Sequence, residues 1–339
     1  MSHAARSLLV AMVLAWTALP LSAQEFYRGR TIELIVSVAA GGGYDQYARA
    51  LARVMGRHIP GNPQIVVQNM PGAGGLRAAN LLYSVARKDG TVFGTIVREL
   101  AIAPLLEPGS ASAQFKADRF NWIGSPQQEL GLVIVNSKLG IHRFEQLVGR
   151  EVTVSSSGAG SSSTIFSRAL NAVFGTRLKS IEGYPGSMEA LMAVEIGETD
   201  GHVTGGSSAA FRGRINPWLE KGQVKVLLQL AMTKDKAYPN APLVFELIQA
   251  EADRQLFELL FTPQVIGRPF LAPPEVPKDR VELLRQAFDA TMKDPDFLAD
   301  AAKQQMEINP VGGAEINTLL ARIYAMPPVL IERARTIVK

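Results

Sequence analysis

The chain has 339 residues, 47% of them hydrophobic and 19% charged, which is enough apolar material for a substantial core and enough length for two domains. A formal charge of +4 without a dense basic cluster argues against a nucleic-acid-binding face. The absence of cysteine excludes disulfides, thiolate catalysis and Cys-ligated metal.

Near its start the chain carries Arg6, an apolar run from Leu8 to Leu19 and then Leu21-Ser22-Ala23, ending in two small residues before Gln24. A basic start, a short apolar segment and small residues at the cut describe a secretory signal peptide over residues 1–23, cleaved near Ala23. The segment is too short to span a membrane comfortably, and no later apolar run approaches that length. A soluble, periplasmic mature protein is expected, with a retained anchor as the plainer rival.

Ile32 to Val38 reads as a strand, Ala39-Ala40-Gly41-Gly42-Gly43-Tyr44-Asp45 as a glycine turn, and Tyr44, Tyr47, Leu51, Val54 and Met55 as the buried stripe of the helix that follows. Gln64 to Gln68 forms a second strand and Pro71-Gly72-Ala73-Gly74-Gly75 a second turn, with Ala78, Leu81, Leu82 and Val85 as the next helix face. The two turns are about one βαβ unit apart, so parallel strands would bring both to one edge of a sheet, facing the crevice where open α/β sheets bind ligands. Bare N–H groups at such turns, with the uncapped first turn of a helix behind them, suit an anion.

Thr91 to Val97 is a third strand, and 105–119 a Pro, Gly, Ser and Ala-rich surface loop. Asn121 to Gly124 and Leu132 to Val135 carry the chain into a second domain, where the pattern restarts. Glu151 to Ser155 is a strand, Ser156 to Ser163 a small-residue loop, and Ile165, Phe166, Ala169, Leu170 and Val173 a helix face. Further turns follow at Gly183-Tyr184-Pro185-Gly186-Ser187 and Gly205-Gly206-Ser207-Ser208, and Val224 to Met232 is the strand that returns to the first domain. From Pro242 the chain is mainly helical, with Val281, Leu284, Ala287 and Phe288 in one stripe and closing helices marked by Leu319, Ile323, Val329, Ile331 and Ile337. Strands alternating with helices define an α/β protein.

Each glycine turn alone is equally a plain strand-to-helix connection, and several facing one crevice favour function. Neither carries a nucleotide fingerprint. The serine-rich loop suits hydrogen bonds to an oxyanion or simple helix capping, and no Gly-x-Ser-x-Gly elbow is present. Asp45 fits a first-turn role at its helix as well as a ligand contact. Arg49, Arg77, Arg98 and Arg168 lie near loops within reach of an anion, the first two placed more as structural or surface groups. His58, His142 and His202 stand apart from acids at metal spacing, so neither metal nor cofactor is expected.

The signal peptide, Phe26-Tyr27-Arg28-Gly29-Arg30-Thr31-Ile32, the two glycine turns with Val66-Val67-Gln68-Asn69-Met70 before the second, and Lys88-Asp89-Gly90-Thr91 together resemble the Bug family. These are the TctC-like extracytoplasmic solute receptors of tripartite tricarboxylate transporters. The likeness continues through Gly158-Ala159-Gly160-Ser161, Gly183-Tyr184-Pro185-Gly186 and Gly197-Glu198-Thr199-Asp200-Gly201. The chain departs from it in carrying Ser37-Val38-Ala39-Ala40 where many members have a proline and a phenylalanine.

The resemblance implies a type II periplasmic binding protein, two Rossmann-like α/β lobes joined by a hinge with a ligand cleft between them. Lobe 1 would comprise 24–127 and 230–339, and lobe 2 would comprise 128–229. It implies no enzyme activity and no cofactor. A small organic carboxylate would be held by Ala39, Ala40, Gly41, Gly42, Gly43, Tyr44, Asp45, Pro71, Gly72, Ala73, Gly74 and Gly75 from lobe 1. Lobe 2 would add Ser157, Gly160, Ser161, Ser162, Tyr184, Gly186, Ser187, Gly206 and Ser207. The expected partners are transporter membrane subunits of the tripartite tricarboxylate type, with the receptor a monomer. A ligand sensor feeding a signalling partner and a serine hydrolase using the Ser156 to Ser163 loop are the alternatives.

Overall fold

A computed structural model describes residues 26–107, 113–158, 161–185, 187–204 and 209–339. The chain builds two mixed sheets. Strand β1 (Thr31–Val36) leads into helix α1 (Gly43–Met55), β2 (Gln64–Asn69), helix α2 (Leu76–Ser84) and β3 (Val92–Thr95), with β1 central and parallel to both neighbours. Alternation sorts the strand residues by face: Ile32, Leu34 and Val36 pack with Leu51 and Met55 of α1, whereas Ile35 packs with Ala78 and Leu82 of α2. The two helices therefore cover opposite faces, which makes β1 the strand at which the winding reverses. After β3 the chain adds β4 (Asn121–Ser125) and leaves for the second sheet through 126–130.

There β5 (Gly131–Asn136) precedes β6 (Glu151–Ser155), helix α3 (Ser162–Phe174), β7 (Arg177–Ile181), helix α4 (Ser187–Ile196) and β8 (Gly201–Thr204). Helix α5 (Ala209–Glu220) and β9 (Val224–Leu230) complete this half, in the order β7-β6-β8-β5-β9. β6 is parallel to both β7 and β8. The β1-α1-β2-α2-β3 plan thus recurs in the second sheet, with β6 in the place of β1.

The remaining chain is largely helical: α6 (Glu251–Ile266), α7 (Lys278–Thr291), α8 (Pro295–Lys303), α9 (Gly313–Tyr324) and α10 (Pro328–Val338). Two short strands from it, β10 (Phe270–Ala272) and β11 (Val311–Gly312), finish the first sheet, whose order is β11-β4-β10-β3-β1-β2. Both run antiparallel to their partners, so neither sheet is wholly parallel.

One apolar core runs without a break from the first sheet (Val92, Trp122) to the second (Val133, Val152, Val154). One link is α6, whose Phe261 packs edge-on against Phe166 of α3 at 5.2 Å between centroids and meets Phe257 at 5.4 Å. Phe257 in turn reaches Phe174 at 6.2 Å.

Candidate functional site

β1 and β2 are paired in register from Thr31 and Gln64 to Val36 and Asn69, so the segments that follow them leave the same edge side by side. Ala39 to Gly43 and Pro71 to Gly74 are exposed there. The N-caps of α1 and α2 are Gly42 and Gly75, and neither helix has a side-chain cap. The uncapped first-turn N–H groups leave partial positive charge at both helix starts. Gly74 (φ +62°) and Gly75 (φ +92°) turn the backbone through the left-handed region, and the Gly75 N–H donates to the Gly72 carbonyl at 2.9 Å, closing the turn. A side chain at Gly75 would also press on Val97, Leu100 and Ser37, at 3.2 to 3.4 Å.

A buried carboxylate ties the first turn to the end of β2, just before the second turn. Asp45 is 2% exposed. Its Oδ2 accepts from the Gly41 N–H (2.8 Å) and Arg49 Nε (2.9 Å), and its Oδ1 from Asn69 Nδ2 (2.9 Å). The same Asn69 amide donates to the Val38 carbonyl at 3.0 Å, and Arg49 Nη2 donates back to Asn69 Oδ1 at 2.9 Å. Burial alone would raise the Asp45 pKa, but the bonds from Arg49, Gly41 and Asn69 outweigh it and hold the pKa below its usual value. Asp45 and Arg49 therefore shape the first turn and fix it to the end of β2. Asp45 thus fills a first-turn role at the start of α1.

Tyr44 also turns inward. Its hydroxyl accepts the Arg98 N–H at 3.0 Å, and the Arg268 guanidinium lies over its ring at 4.6 Å. Burial, then the nearby Glu99 carboxylate, raises the phenol pKa. Arg98 pairs with Glu129 and with Glu99 (2.9 Å), and Arg268 approaches Glu129 at 3.6 Å. Of the other arginines singled out in the sequence, Arg168 donates to the carbonyls of Ile337 and Val338, at 3.5 and 3.3 Å. The Arg77 side chain lies against Gly72 on an exposed surface.

In the second half the parallel strands β6, β7 and β8 likewise send their following loops from one edge. Ser157 is exposed. Ser161 caps α3, its Oγ accepting from Thr164 N at 3.4 Å and lying 2.7 Å from Ser156 Oγ. The Tyr184 N–H donates to the Ser156 carbonyl at 3.3 Å, which brings the loop after β7 onto the loop after β6. Gly160, Gly186, Gly206 and Ser207 lie outside the described residues.

Elements of both halves bound two cavities. A cavity of about 270 Å³ is bounded by Glu99 and Ile102 from the segment after β3, Ser162 and Ile165 from the start of α3, and Pro263 and Gln264 of α6. A second, of about 430 Å³, is bounded by Glu129, Arg212, Asp235, Gln264 and Glu307. Among the described residues no group of three or more His, Asp or Glu could hold a metal ion.

The structure joins a serine and a histidine that the sequence keeps apart. Ser155 Oγ lies 3.1 Å from His202 Nδ1, but it donates to the Ala190 carbonyl at 2.6 Å, and Nδ1 lies 2.9 Å from the Ser155 carbonyl. Both residues are buried, and burial lowers the His202 pKa to about 4. The pair is committed to the core and closed to solvent, which is poor ground for a nucleophile. Asn69, Glu129, Gln264 and Arg268 were also missed. Only Asn69, which directly precedes the second turn, carried a local signal.

Two α/β halves that repeat one winding plan define a two-lobed periplasmic-binding-protein fold. The chain belongs to the tripartite tricarboxylate transporter receptor family, TctC, whose model matches residues 47–333. It is similar to a UPF0065 protein of Bordetella bronchiseptica, 26% identical over 297 residues that span 86% of this chain and 82% of that protein. Among solved structures it resembles a TctC solute-binding protein from Polaromonas, with a TM-score of 0.73 and 21% identity over 91% of this chain and 99% of that one. It also resembles MatC from Rhodopseudomonas palustris with bound malate, with a TM-score of 0.51 and 20% identity over 91% and 99%. At these identities the likeness to the solved structures is one of fold. No helix among the described residues is long and apolar enough to cross a membrane.

Proposed function

We propose that this protein captures a small organic carboxylate between its lobes and presents it to the membrane subunits of a tripartite tricarboxylate-type transporter. The observation that carries this reading is the placement of two exposed glycine turns at adjacent parallel strand ends, the first tied through Asp45 and Asn69 to the end of the strand that leads into the second. A carboxylate that accepts charge-assisted backbone bonds gains roughly 1.5 to 3 kcal/mol from each, so about three give micromolar binding. The malate bound by MatC supports the ligand class. Ala39 to Gly43 and Pro71 to Gly75 would hold the carboxylate, with Ser157, Ser161, Ser162 and the loops after β7 and β8 closing from the other lobe.

In this reading residues 1–23 are an export signal and the mature protein works in the periplasm as a monomer without a cofactor. Lobe 1 comprises 24–127 and 230–339, and lobe 2 comprises 128–229. Ligand favours the closed arrangement because only there do both sets of loops reach it.

The test is a thermal-shift and calorimetric screen of refolded, ligand-stripped protein against mono-, di- and tricarboxylates. Ligand at roughly 100 times Kd adds about 2.7 kcal/mol of stability. A companion variant is Gly42→Val: Gly42 has φ −77°, and a Cβ there would meet nothing closer than 3.8 Å. The fold should survive while the added bulk blocks the turn. Undiminished affinity in this variant would refute the assignment.

A further inference from the structure

One buried side chain on the floor of the crevice lacks a partner. Gln264, near the end of α6, is 2% exposed, yet neither its amide oxygen nor its amide nitrogen makes a hydrogen bond. Buried polar groups are nearly always paired, so an orphaned carboxamide that faces a cavity marks a place for a partner from outside the chain. Its position is fixed by backbone contacts. The Glu129 N–H donates to the Gln264 carbonyl at 2.9 Å. A Cβ on Gly267, just beyond the helix, would sit 1.9 Å from the Gln127 carbonyl oxygen, so the helix end is seated directly on the chain's first crossing between lobes.

The geometry also sets the path by which a ligand would reach it. A Cβ on Gly75 of the second turn would sit 3.3 Å from Leu100, and the neighbouring Glu99 and Ile102 line the cavity of about 270 Å³ that Gln264 also bounds. A ligand anchored at the glycine turns would extend along this segment between Ile102 and Ile165. The lining of that cavity includes Glu99 and Glu107 but, among the described residues, no lysine or arginine. Arg98 and Arg268, beside the same floor, are both directed to Glu129. Within the cavity of about 270 Å³ a second carboxylate would lie beside Glu99 and Glu107 with no cation in the lining, whereas a methyl group would leave the carboxamide unpaired. Arg212, Lys234 and Lys236 line the separate cavity of about 430 Å³ that Gln264 also bounds.

We propose that Gln264 reads the end of the ligand remote from its carboxylate. The protein accordingly prefers acids that carry an uncharged hydrogen-bonding group there, a hydroxyl, oxo or carboxamide, over acids that end in methyl or in a second carboxylate. This rests on the carboxylate reading above and adds the chemical class of the distal group.

The experiment is calorimetry of ligand-stripped protein with short straight-chain acids, each supplied as the plain, ω-hydroxy, ω-carboxamide and ω-carboxy member. The expected result is that an ω-hydroxy or ω-carboxamide member binds about tenfold more tightly than its plain partner. Gln264→Leu should erase that ratio and leave the plain acid within about twofold of its original affinity. Gln264→Met, unbranched and close in shape, gives the same reading should the leucine variant fold poorly. A ratio that survives both substitutions, or an ω-carboxy member that binds tightest, overturns the inference while the carboxylate reading stands. If folded wild-type protein binds no acid of any kind, the carboxylate reading itself falls and takes the inference with it.

Discussion

Removing the Asp45 carboxylate should loosen the first glycine turn and free it from the end of β2, because one side chain holds the turn closed and ties it there. In Asp45→Ala the Gly41 N–H and one Asn69 N–H lose a charged acceptor in a partly buried setting. Hydrogen bonds to charged groups contribute about 1.5 to 3 kcal/mol each. The third bond counts for less, since the Arg49 side chain is 45% exposed and water can replace its partner. The expected loss is about 3 kcal/mol, on the order of a hundredfold in the folding equilibrium, read as a lower urea midpoint with an unchanged slope. Asp45→Asn, which keeps an acceptor of the same shape, should lose about half as much. The holding pKa of Asp45 is depressed, so its stabilisation is present above the ordinary carboxylate range and fades as pH falls through the folded value. Ligand affinity in Asp45→Ala should drop by about tenfold or more, because only the fraction of molecules with both turns formed can bind. An Asp45→Ala protein that matches wild type within about 0.5 kcal/mol would refute the tether.

Acid should weaken the native state through His202. Burial lowers its pKa to about 4 from 6.5, the bond to Ser155 opposing only in part, so the folded chain keeps it neutral while the unfolded chain takes up a proton. Stability should therefore decline as pH falls from about 6.5 toward 4, by about 3 kcal/mol at most, and His202→Gln should flatten that limb of the urea-midpoint profile. An identical pH profile in the variant would show that His202 is not the titrating group. Phe261→Ala should cost about 3 to 5 kcal/mol by denaturant titration, since the ring is fully buried among Phe166, Phe245 and Phe257. A loss under about 1 kcal/mol would mean that α6 does not bind the two halves together.

The parts of the fold that were legible in the sequence are those with strong local period. Tyr47, Leu51, Val54 and Met55 are buried together on α1, and the spacing of the two glycine turns matched one parallel βαβ unit. β7 escaped notice because it is a half-exposed edge strand in which Arg177 and Lys179 alternate with Leu178. β10 and β11 are too short to show any period, and their partners come from distant parts of the chain. Val329, placed in the closing helical stripe by its spacing, is exposed in α10, where Leu330, Ile331 and Ala334 form the buried face.

The candidate site divides in the same way. Its glycine turns could be read because glycine signals a backbone need in place. The inward turn of Asp45 and Tyr44 could not, because an acid or a tyrosine in a first turn has the same local pattern whether it faces solvent or the strand beside it. Gln264 and Glu129 acquire their positions from the packing of α6 on the crossing segment, about which neither neighbourhood says anything alone.

The row of phenylalanines along α6 bears on how such a molecule can be cut and how it can move. Rings of this one helix belong to both halves, so a fragment divided at the chain crossings would turn Phe257 and Phe261 out into water, forfeiting roughly 2 to 3 kcal/mol for each. On this packing neither half should fold alone, and heating should melt them in a single calorimetric peak. Any opening of the crevice must pivot around this greasy seam without parting it, as sliding among packed helices does.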